Sequence, residues 1–586
     1  MDRRPPASLG YGLVAAALWA VCHLLIHLPR GWPFQVRGEW EILLVALSAA
    51  AGDFPPLPAG AIHGVEPGAY LVALLAAPLI ALGVTPVLAG KLVALGFGSA
   101  LAGLCAGWTH TLVVVRHGPG PARWAALLVA VVFACAWPGM HFDLAGMSGR
   151  TPESLFFQLL ALRLLLSGCS SGSKAAPLIC GASLAVAYLF SPLALWTVLI
   201  VATLLALPAS VGVGFASGRL RFIAWLLLGA VLPFLALGLV LPEGWAGLRL
   251  FFAETLGPDA LAVSTGLVRE HGAGSGVMRP GPLHLLGKVS RALEGGAHNE
   301  HLALRAGSLA LLAWSAQLAV LWTLWKARSR EQRQLRLLAA VSLSWLLPLS
   351  LLPLDRGFYP LAYRYWSIPL ALGLMLMAGL AVTSLASSGP GWRKWGLLVP
   401  LFCVALLPLP SLSRSIIAPA PTLAEVGVGT GAHAMAPRSG YERHYAFSHL
   451  RRHAPEELDR SICEGYGLAL GADAAVSTTR GDVPQPQWRR LREELPSESW
   501  RALLLGVGCG AAAFPSEQVQ LTEVLLSGSA AEDRDVGRGF LLCAEGRGRG
   551  MIVPVEIRQL LAAELPGSEA IDFSVPEPWA LLPDRF

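Results

Sequence analysis

From the N-terminus to about residue 412 the chain is built from apolar runs of roughly fifteen to thirty residues, separated by short basic or Gly/Pro-rich breaks. "SLGYGLVAAALWAVCHLLIHL" (Ser8 to Leu28) follows Arg3 and Arg4. It is too long for a secretory h-region, and "HLPRGW" is not a small-x-small cleavage site, so the pattern predicts a retained first span with its N-terminus inside. Ala69 to Gly83 is apolar but reaches only about 22 Å as a helix, short of a hydrocarbon core of about 30 Å, and carries Pro78. Val87 to Val115 is long enough. If only the second of these spans, Arg116 and Arg123 fall inside, as the positive-inside rule prefers. Glu41 to Ala51 and Ala69 to Gly83 are then expected as interfacial helices on the outer surface.

The remaining expected spans are Trp124 to Pro138, Ser154 to Ser167, Ala176 to Phe190, Leu193 to Leu207, Phe222 to Leu241, Leu304 to Trp325, Leu337 to Leu354, Trp366 to Ala386 and Gly396 to Leu412. That makes about eleven. Inside loops then hold Lys174, Arg219, Arg221, the run "KARSREQRQLR" from Lys326, and Arg393 with Lys394. Arg163 and Arg305, in or at the edge of spans, read as snorkelling side chains. The outside receives residues 29–86, 139–153, 242–303 and 355–365, and everything after about Ser413.

That tail, 413–586, is polar and weakly repetitive: "ICEGYGLALG" from Ile462, "LLGVGCGAAA" from Leu504, "LLCAEGRGRG" from Leu541. A spacing of about forty residues lies in the range of helical repeats. Charged amphipathic segments precede the motifs, so helix pairs with close glycine contacts are expected. "GRGRG" lacks the flanking strand and GK[ST] of a phosphate loop. The fold class is thus an all-α polytopic membrane domain over 1–412, with external juxtamembrane helices, plus a mainly α-helical, repeat-like C-terminal soluble domain over 413–586.

Composition agrees with this division. The 586 residues are 54% hydrophobic and 14% charged, where a soluble domain averages about 25% charged, and mean hydropathy is +0.57. The net charge of +6 reflects loop topology and does not point to nucleic acid. Of nine cysteines, Cys22, Cys105, Cys135, Cys180 and Cys403 lie in apolar runs and Cys169 in a short loop. Cys463, Cys509 and Cys543 lie in the tail, and no pair has metal-ligand spacing.

Candidate chemistry gathers outside. "GEWEILLVALSAAAGDFPPLPAGAIHGVEPGAY", from Gly38, holds Glu39, Glu41, Asp53, His63, Glu66 and Tyr70. On a helix starting near Glu39, Glu39 and Glu41 would diverge, so one can face a site while the other faces water. Glu41 is equally well placed as a first-turn acid favoured by the helix dipole. The second external loop, "GMHFDLAGMSGRTPE", adds Asp143, Arg150 and Glu153, and "DRGFYPLAYRYW" adds Arg356 and Arg364. Arg364 also reads as an interfacial anchor among Tyr363, Tyr365 and Trp366. In the long loop, His298 and His301 of "AHNEH" stand at i and i+3, a weak metal-site pattern.

The order of elements over about the first 210 residues resembles the C-type (GT-C fold) glycosyltransferases that use polyprenyl-phosphate sugars, nearest to their aminoarabinose-transferase and protein-mannosyltransferase branch. "WEILLVALSAAAGDFPPLP" is similar to that family's acidic helix and GD-aromatic-x-x-P segment, and "IHGVEPGAYLVALL" to its Pro-Tyr surface helix. "LAGMSGRTPESLFFQLLAL" looks like the second external loop entering span four, and "DRGFYPLAYRYWSIPLALGL" like the late Arg-Tyr-x-x-Pro element. The family's leading aspartate falls on Trp40, and its neighbouring glutamate on Glu41. The resemblance implies sugar transfer from a polyprenyl-phosphate donor to an envelope glycan, lipid or protein, on the outer face of a bacterial inner membrane. Catalytic candidates are Glu41, Glu39 and Asp143. Asp53, His63, Glu66, Tyr70, Arg150, Glu153, Arg356 and Arg364 would contact substrate. A divalent cation held by Asp143 and Glu153 is left open as a cofactor.

Two other classes compete. A transporter would carry ionisable groups or broken helices at the midplane and often inverted repeats; only "LFSPLA" around Pro192 fits. A non-catalytic envelope assembly protein, its tail binding a partner, accords with Trp40 and the repeat-like tail.

Overall fold

The computed structural model describes residues 7–27, 45–47, 49–50, 52, 67–136, 151–171, 174–191, 194–207, 218–240, 245, 248–249, 252, 318–325, 333–345, 362–386, 422–434, 447–448, 450–451, 454, 456–478, 486–512 and 530–546. Every regular element among them is helical. Backbone contacts divide the chain into two compact units. The first comprises Met1–Pro33, Lys91–Val240 and Gly244–Pro419, and the second Phe34–Gly90, Leu241–Glu243 and Ala420–Phe586. The change in composition near residue 412 thus lies close to a unit boundary, while residues 34–90 group with the tail.

The first unit contains α1 (Ala7–His27), α3 (Pro86–His117, from Lys91 on), α4 (Pro119–Val131, continuing as a π-turn Val132–Ala136), α5 (Thr151–Ser171), α6 (Ala175–Phe190), α7 (Ala194–Ala206), α8 (Arg219–Val240), α9 (Arg333–Ser344) and α10 (Ala362–Ala386). The second contains α2 (Pro67–Ala81), α11 (Leu423–His433), α12 (Asp459–Thr478), α13 (Pro486–Glu494), α14 (Ser497–Ala512) and α15 (Ala530–Gly546). Among the described residues, three helices are long and apolar enough to cross a membrane: Ser8–Leu25, Leu88–Val115 and Arg219–Leu239. Six shorter apolar helices accompany them. The segments expected as a short interfacial helix and a long span are both helical, as α2, with Pro78 inside it, and α3. Gly83, at φ 91°, ends α2, and Gly118, at φ 78°, joins α3 to α4. Both hold the left-handed conformation that glycine adopts without steric cost. The expected span Gly396 to Leu412 lies outside the described residues.

In the first unit, exposed leucines such as Leu13 and Leu25 of α1, and Leu220, Leu227 and Leu239 of α8, form the outer faces. The contacts between helices fall on small residues. A Cβ on Gly103 would stand 2.8 Å from the Gly12 carbonyl oxygen, and one on Gly107 2.8 Å from that of Ser8. On α6 and α8, Gly181 lies against Leu226 and Ala230, and Gly229 against Leu178. As residue numbers rise on one helix they fall on the other, so both pairs are antiparallel. In lipid no hydrophobic force draws helices together, and close backbone approach through glycine supplies the dispersion that does.

The tail uses the same device with the opposite sense. Gly427 meets Ser461 and Gly431 meets Ile462 and Tyr466; Glu464 meets Gly506 and Leu468 meets Gly510; Leu505 meets Gly539. Numbers rise together, so α11, α12, α14 and α15 are parallel neighbours in that order. Cys509 and Cys543 join α14 to α15 in a disulfide, Cα–Cα 5.2 Å. Ion pairs lace the helix starts: Arg451 Nε and Nη2 donate to the two Asp459 oxygens at 2.6 and 3.0 Å, Arg492 pairs with Glu532 at 3.0 Å, and Arg501 with Asp535 at 3.2 Å. α11 opens with a capping box, Glu425 N–H donating to Thr422 Oγ1 at 3.2 Å while Glu425 accepts from Thr422 N–H.

Candidate functional site

Of the expected site residues, Glu39, Glu41, Asp53, His63, Glu66, Asp143, Arg150 and Arg356 lie outside the described residues, as do His298 and His301. Tyr70 stands in the first turn of α2 and Arg364 in the first turn of α10. Glu153 is the third residue of α5 and is fully buried.

Around Glu153 the structure places polar groups that sequence reasoning passed over. Ser154, next along α5, donates through Oγ to the Ala187 carbonyl of α6 at 2.9 Å. Gln158, one turn on, donates through Nε2 to Ser154 Oγ at 2.9 Å and accepts from Thr197 Oγ1 of α7. All three residues are buried, and the chain ties the first two turns of α5 to the end of α6 and the start of α7. The available signal was Ser154 and Gln158 at i and i+4, a spacing that shares one helix face, among apolar neighbours. Beside this chain, Phe97 of α3 meets Phe156, Phe157 and Phe190 with ring centroids 6.1, 5.9 and 6.1 Å away, mostly edge-on.

Two buried basic residues also went unremarked in the sequence. Lys91, near the start of α3, and His23 of α1 are both fully buried. His23 stacks on Trp19 with centroids 4.8 Å apart, and the Trp19 ring occupies the space a side chain at Gly98 would need. The α1–α3 register puts Lys91 beyond that contact, toward the C-terminal end of α1. Among the described residues no group of three His, Cys, Asp or Glu could hold a metal ion. The arrangement buries a carboxylate in the first turn of α5 and ties that helix to two neighbours through a linear hydrogen-bond chain.

No protein-family model and no curated protein matches the chain. Its structure aligns with solved structures only at low scores. It aligns with the apo oligosaccharyltransferase of Archaeoglobus fulgidus at TM-score 0.43 and 13% identity, covering 75% of this chain and 59% of that one. It aligns with ArnT from Cupriavidus metallidurans bound to undecaprenyl phosphate at TM-score 0.38 and 13% identity, covering 96% and 84%, and with apo ArnT at 0.39 and 14%, covering 92% and 77%. The chain therefore spans under two thirds of the oligosaccharyltransferase it matches. At these values no family is assigned.

Proposed function

We propose that this chain is an integral membrane glycosyltransferase that moves a sugar from a polyprenyl-phosphate donor to an envelope acceptor on the outer face of a bacterial inner membrane. The observation that carries the reading is the order of elements after the first helix: an acid-bearing stretch, a Gly-Asp-Phe segment running into prolines over 52–58, a short apolar helix opened by Pro67 with Tyr70 in its first turn, then a span-length helix. Burial of Glu153 at the first turn of α5, where the second external loop enters a span, supports it. The tail's cystine supports an extracytoplasmic C-terminus, because disulfides persist in oxidising compartments.

The chemistry follows from the residue types. An acceptor hydroxyl or amine attacks the anomeric carbon, the new bond forms as the bond to the phosphate oxygen breaks, and a carboxylate takes the acceptor's proton. Glu41, or Glu39, is assigned as that base. Arg356 and Arg364 stabilise the departing phosphate. Asp143 and Glu153 assist across the same face. Glu41→Gln is expected to abolish transfer; full turnover in both Glu41→Gln and Glu39→Gln removes the assignment. A polyprenyl phosphate found by mass spectrometry on the purified protein would favour this reading over its rival. That rival, a non-catalytic assembly protein, is favoured by Trp40 standing where the resembled family has its leading aspartate.

A further inference from the structure

The tail contains three cysteines, Cys463, Cys509 and Cys543, and so admits three pairings, of which the structure holds one. Cys509 and Cys543 are 0% and 3% exposed. Around them, a Cβ on Gly508 would stand 2.7 Å from Phe540 N, and one on Gly539 2.8 Å from the Leu505 carbonyl carbon. Helices packed that closely leave no approach to the sulfurs for another protein, so the bond cannot be made on the closed pair. Cys463 is also fully buried, on α12, one helix back along the stack. Gly465, two residues on, meets the Val428 backbone of α11, so docking of α11 on α12 closes around that segment.

We propose that a thiol–disulfide exchange catalyst acts on a partly folded tail, after α11 and α12 have sequestered Cys463 and before α15 closes on α14, so that folding order selects the Cys509–Cys543 pairing. A thiolate from one of these cysteines attacks the catalyst's disulfide, forming a mixed disulfide and releasing one catalyst thiolate. The second tail thiolate attacks the tail sulfur of that bond. The cystine forms and the catalyst leaves as a dithiol, having accepted two electrons and two protons. Burial pushes the Cys463 thiol up to about 12, with Asp459 adding to the rise, so almost none of it is thiolate near neutral pH once α12 has packed. The partner is thus a dithiol/disulfide protein of the compartment that receives the tail, and its substrate is a half-built stack.

The test is a pulse-labelled time course on the full-length chain in membranes. Samples are quenched with N-ethylmaleimide before denaturation to mark exposed thiols, alkylated with a second reagent in denaturant to mark buried thiols, then reduced, labelled with a third reagent to mark cystines, and mapped by peptide mass. In the wild type, Cys463 should become unreactive before Cys509 and Cys543 leave the thiol pool. In cells lacking disulfide-forming catalysts, Cys509 and Cys543 should be recovered as thiols while Cys463 stays protected. Gly465→Val, which opens the α11–α12 contact, should place Cys463 in mixed disulfides, and Cys463→Ser in that background should restore the single cystine. Cystine formation ahead of Cys463 protection, or recovery of both partner cysteines as thiols in the wild type, overturns the proposal. If Gly465→Val fails to accumulate, the wild-type time course decides alone.

Discussion

Gly181→Ala and Gly96→Ala are the same substitution in two apolar helices, α6 and α3, and are expected to have opposite effects. At Gly96 an added Cβ meets nothing within 4 Å, and the residue is exposed. There the change only removes glycine's entropic disadvantage in a helix, a gain of about 0.8–1 kcal/mol. At Gly181 the Cβ would stand 2.8 Å from Ala230 N and 2.8 Å from the Leu226 carbonyl carbon, and nearer still to the carbonyl oxygen. Ordinary contact begins near 3.4 Å, so α6 and α8 must part by at least 0.6 Å (3.4 − 2.8). The obstruction is backbone, which cannot rotate away. Overpacking of this kind costs about 1–3 kcal/mol. The propensity gain is common to both variants and cancels between them, so Gly181→Ala should fall about 1–3 kcal/mol below Gly96→Ala. Thermal unfolding of detergent-purified protein, read with a thiol-reactive dye, is suited to this pair because the neighbouring Cys180 is fully buried and donates to the Ala161 carbonyl at 3.3 Å. Since Gly229 meets Leu178 on the same interface, Gly229→Ala added to Gly181→Ala should cost less than the sum of the two. Equal stability of Gly181→Ala and Gly96→Ala would refute the glycine-contact argument for the spans.

Thr197→Val removes the hydroxyl that donates to Gln158 at nearly constant volume, leaving a buried amide oxygen short of its donor; a loss of about 1 kcal/mol is expected from intramembrane hydrogen bonds, with Thr197→Ser near wild type in the same unfolding assay. Thr422→Ala should loosen the first turn of α11 by about 1 kcal/mol, seen as faster amide exchange confined to that turn. The Cys463 thiol is raised by burial in the folded tail from an ordinary 9.0 to about 12, so its stabilisation is complete below pH 9 and is lost as pH climbs toward 12. Amide protection in α12 should therefore weaken above pH 9, by up to about 1.4 kcal/mol per pH unit, and Cys463→Ala should flatten that slope.

Much of the helical order was legible because hydropathy alone separates a 32-residue run such as α3 from the 15-residue α2 that precedes it. The tail's glycine motifs also announced close helix contacts, since glycine inside a helix is otherwise unfavourable. What escaped was pairing between distant positions. Gln158 reads as one polar residue in an oily helix, and nothing local says that Thr197, 39 residues on, completes its hydrogen bonds. Cys509 and Cys543 lack metal spacing, and their partnership depends on the register of two helices 34 residues apart. Lys91 sits at the start of a span, where snorkelling is the ordinary expectation; its complete burial follows from tertiary packing alone.

The two senses of glycine packing carry a constraint on the tail's architecture. Antiparallel neighbours, as α1 with α3 or α6 with α8, can be joined by spans and turns that simply reverse the chain. Parallel neighbours cannot: between α12 and α14 the chain must travel back the length of a helix before it starts again. α13, Pro486–Glu494, lies in that return, and residues 447–448 and 450–451 are helical in the corresponding interval between α11 and α12. A return helix plus a forward helix is the unit that sets a spacing of about forty residues, and stacking such units buries a face that one unit alone leaves open. α14 shows the result, buried continuously from Ala502 to Ala512 with glycine at three of those positions. The inner forward helix α14 is therefore too encased to serve as a recognition surface, and any partner of the tail must meet its return helices or the outer helices at its ends. Substitutions at exposed positions of α13, such as Arg490 and Glu493, are then the ones expected to alter partner binding without changing tail stability, measured by pulldown alongside amide exchange. Loss of binding only on destabilising the forward helices would instead place recognition elsewhere.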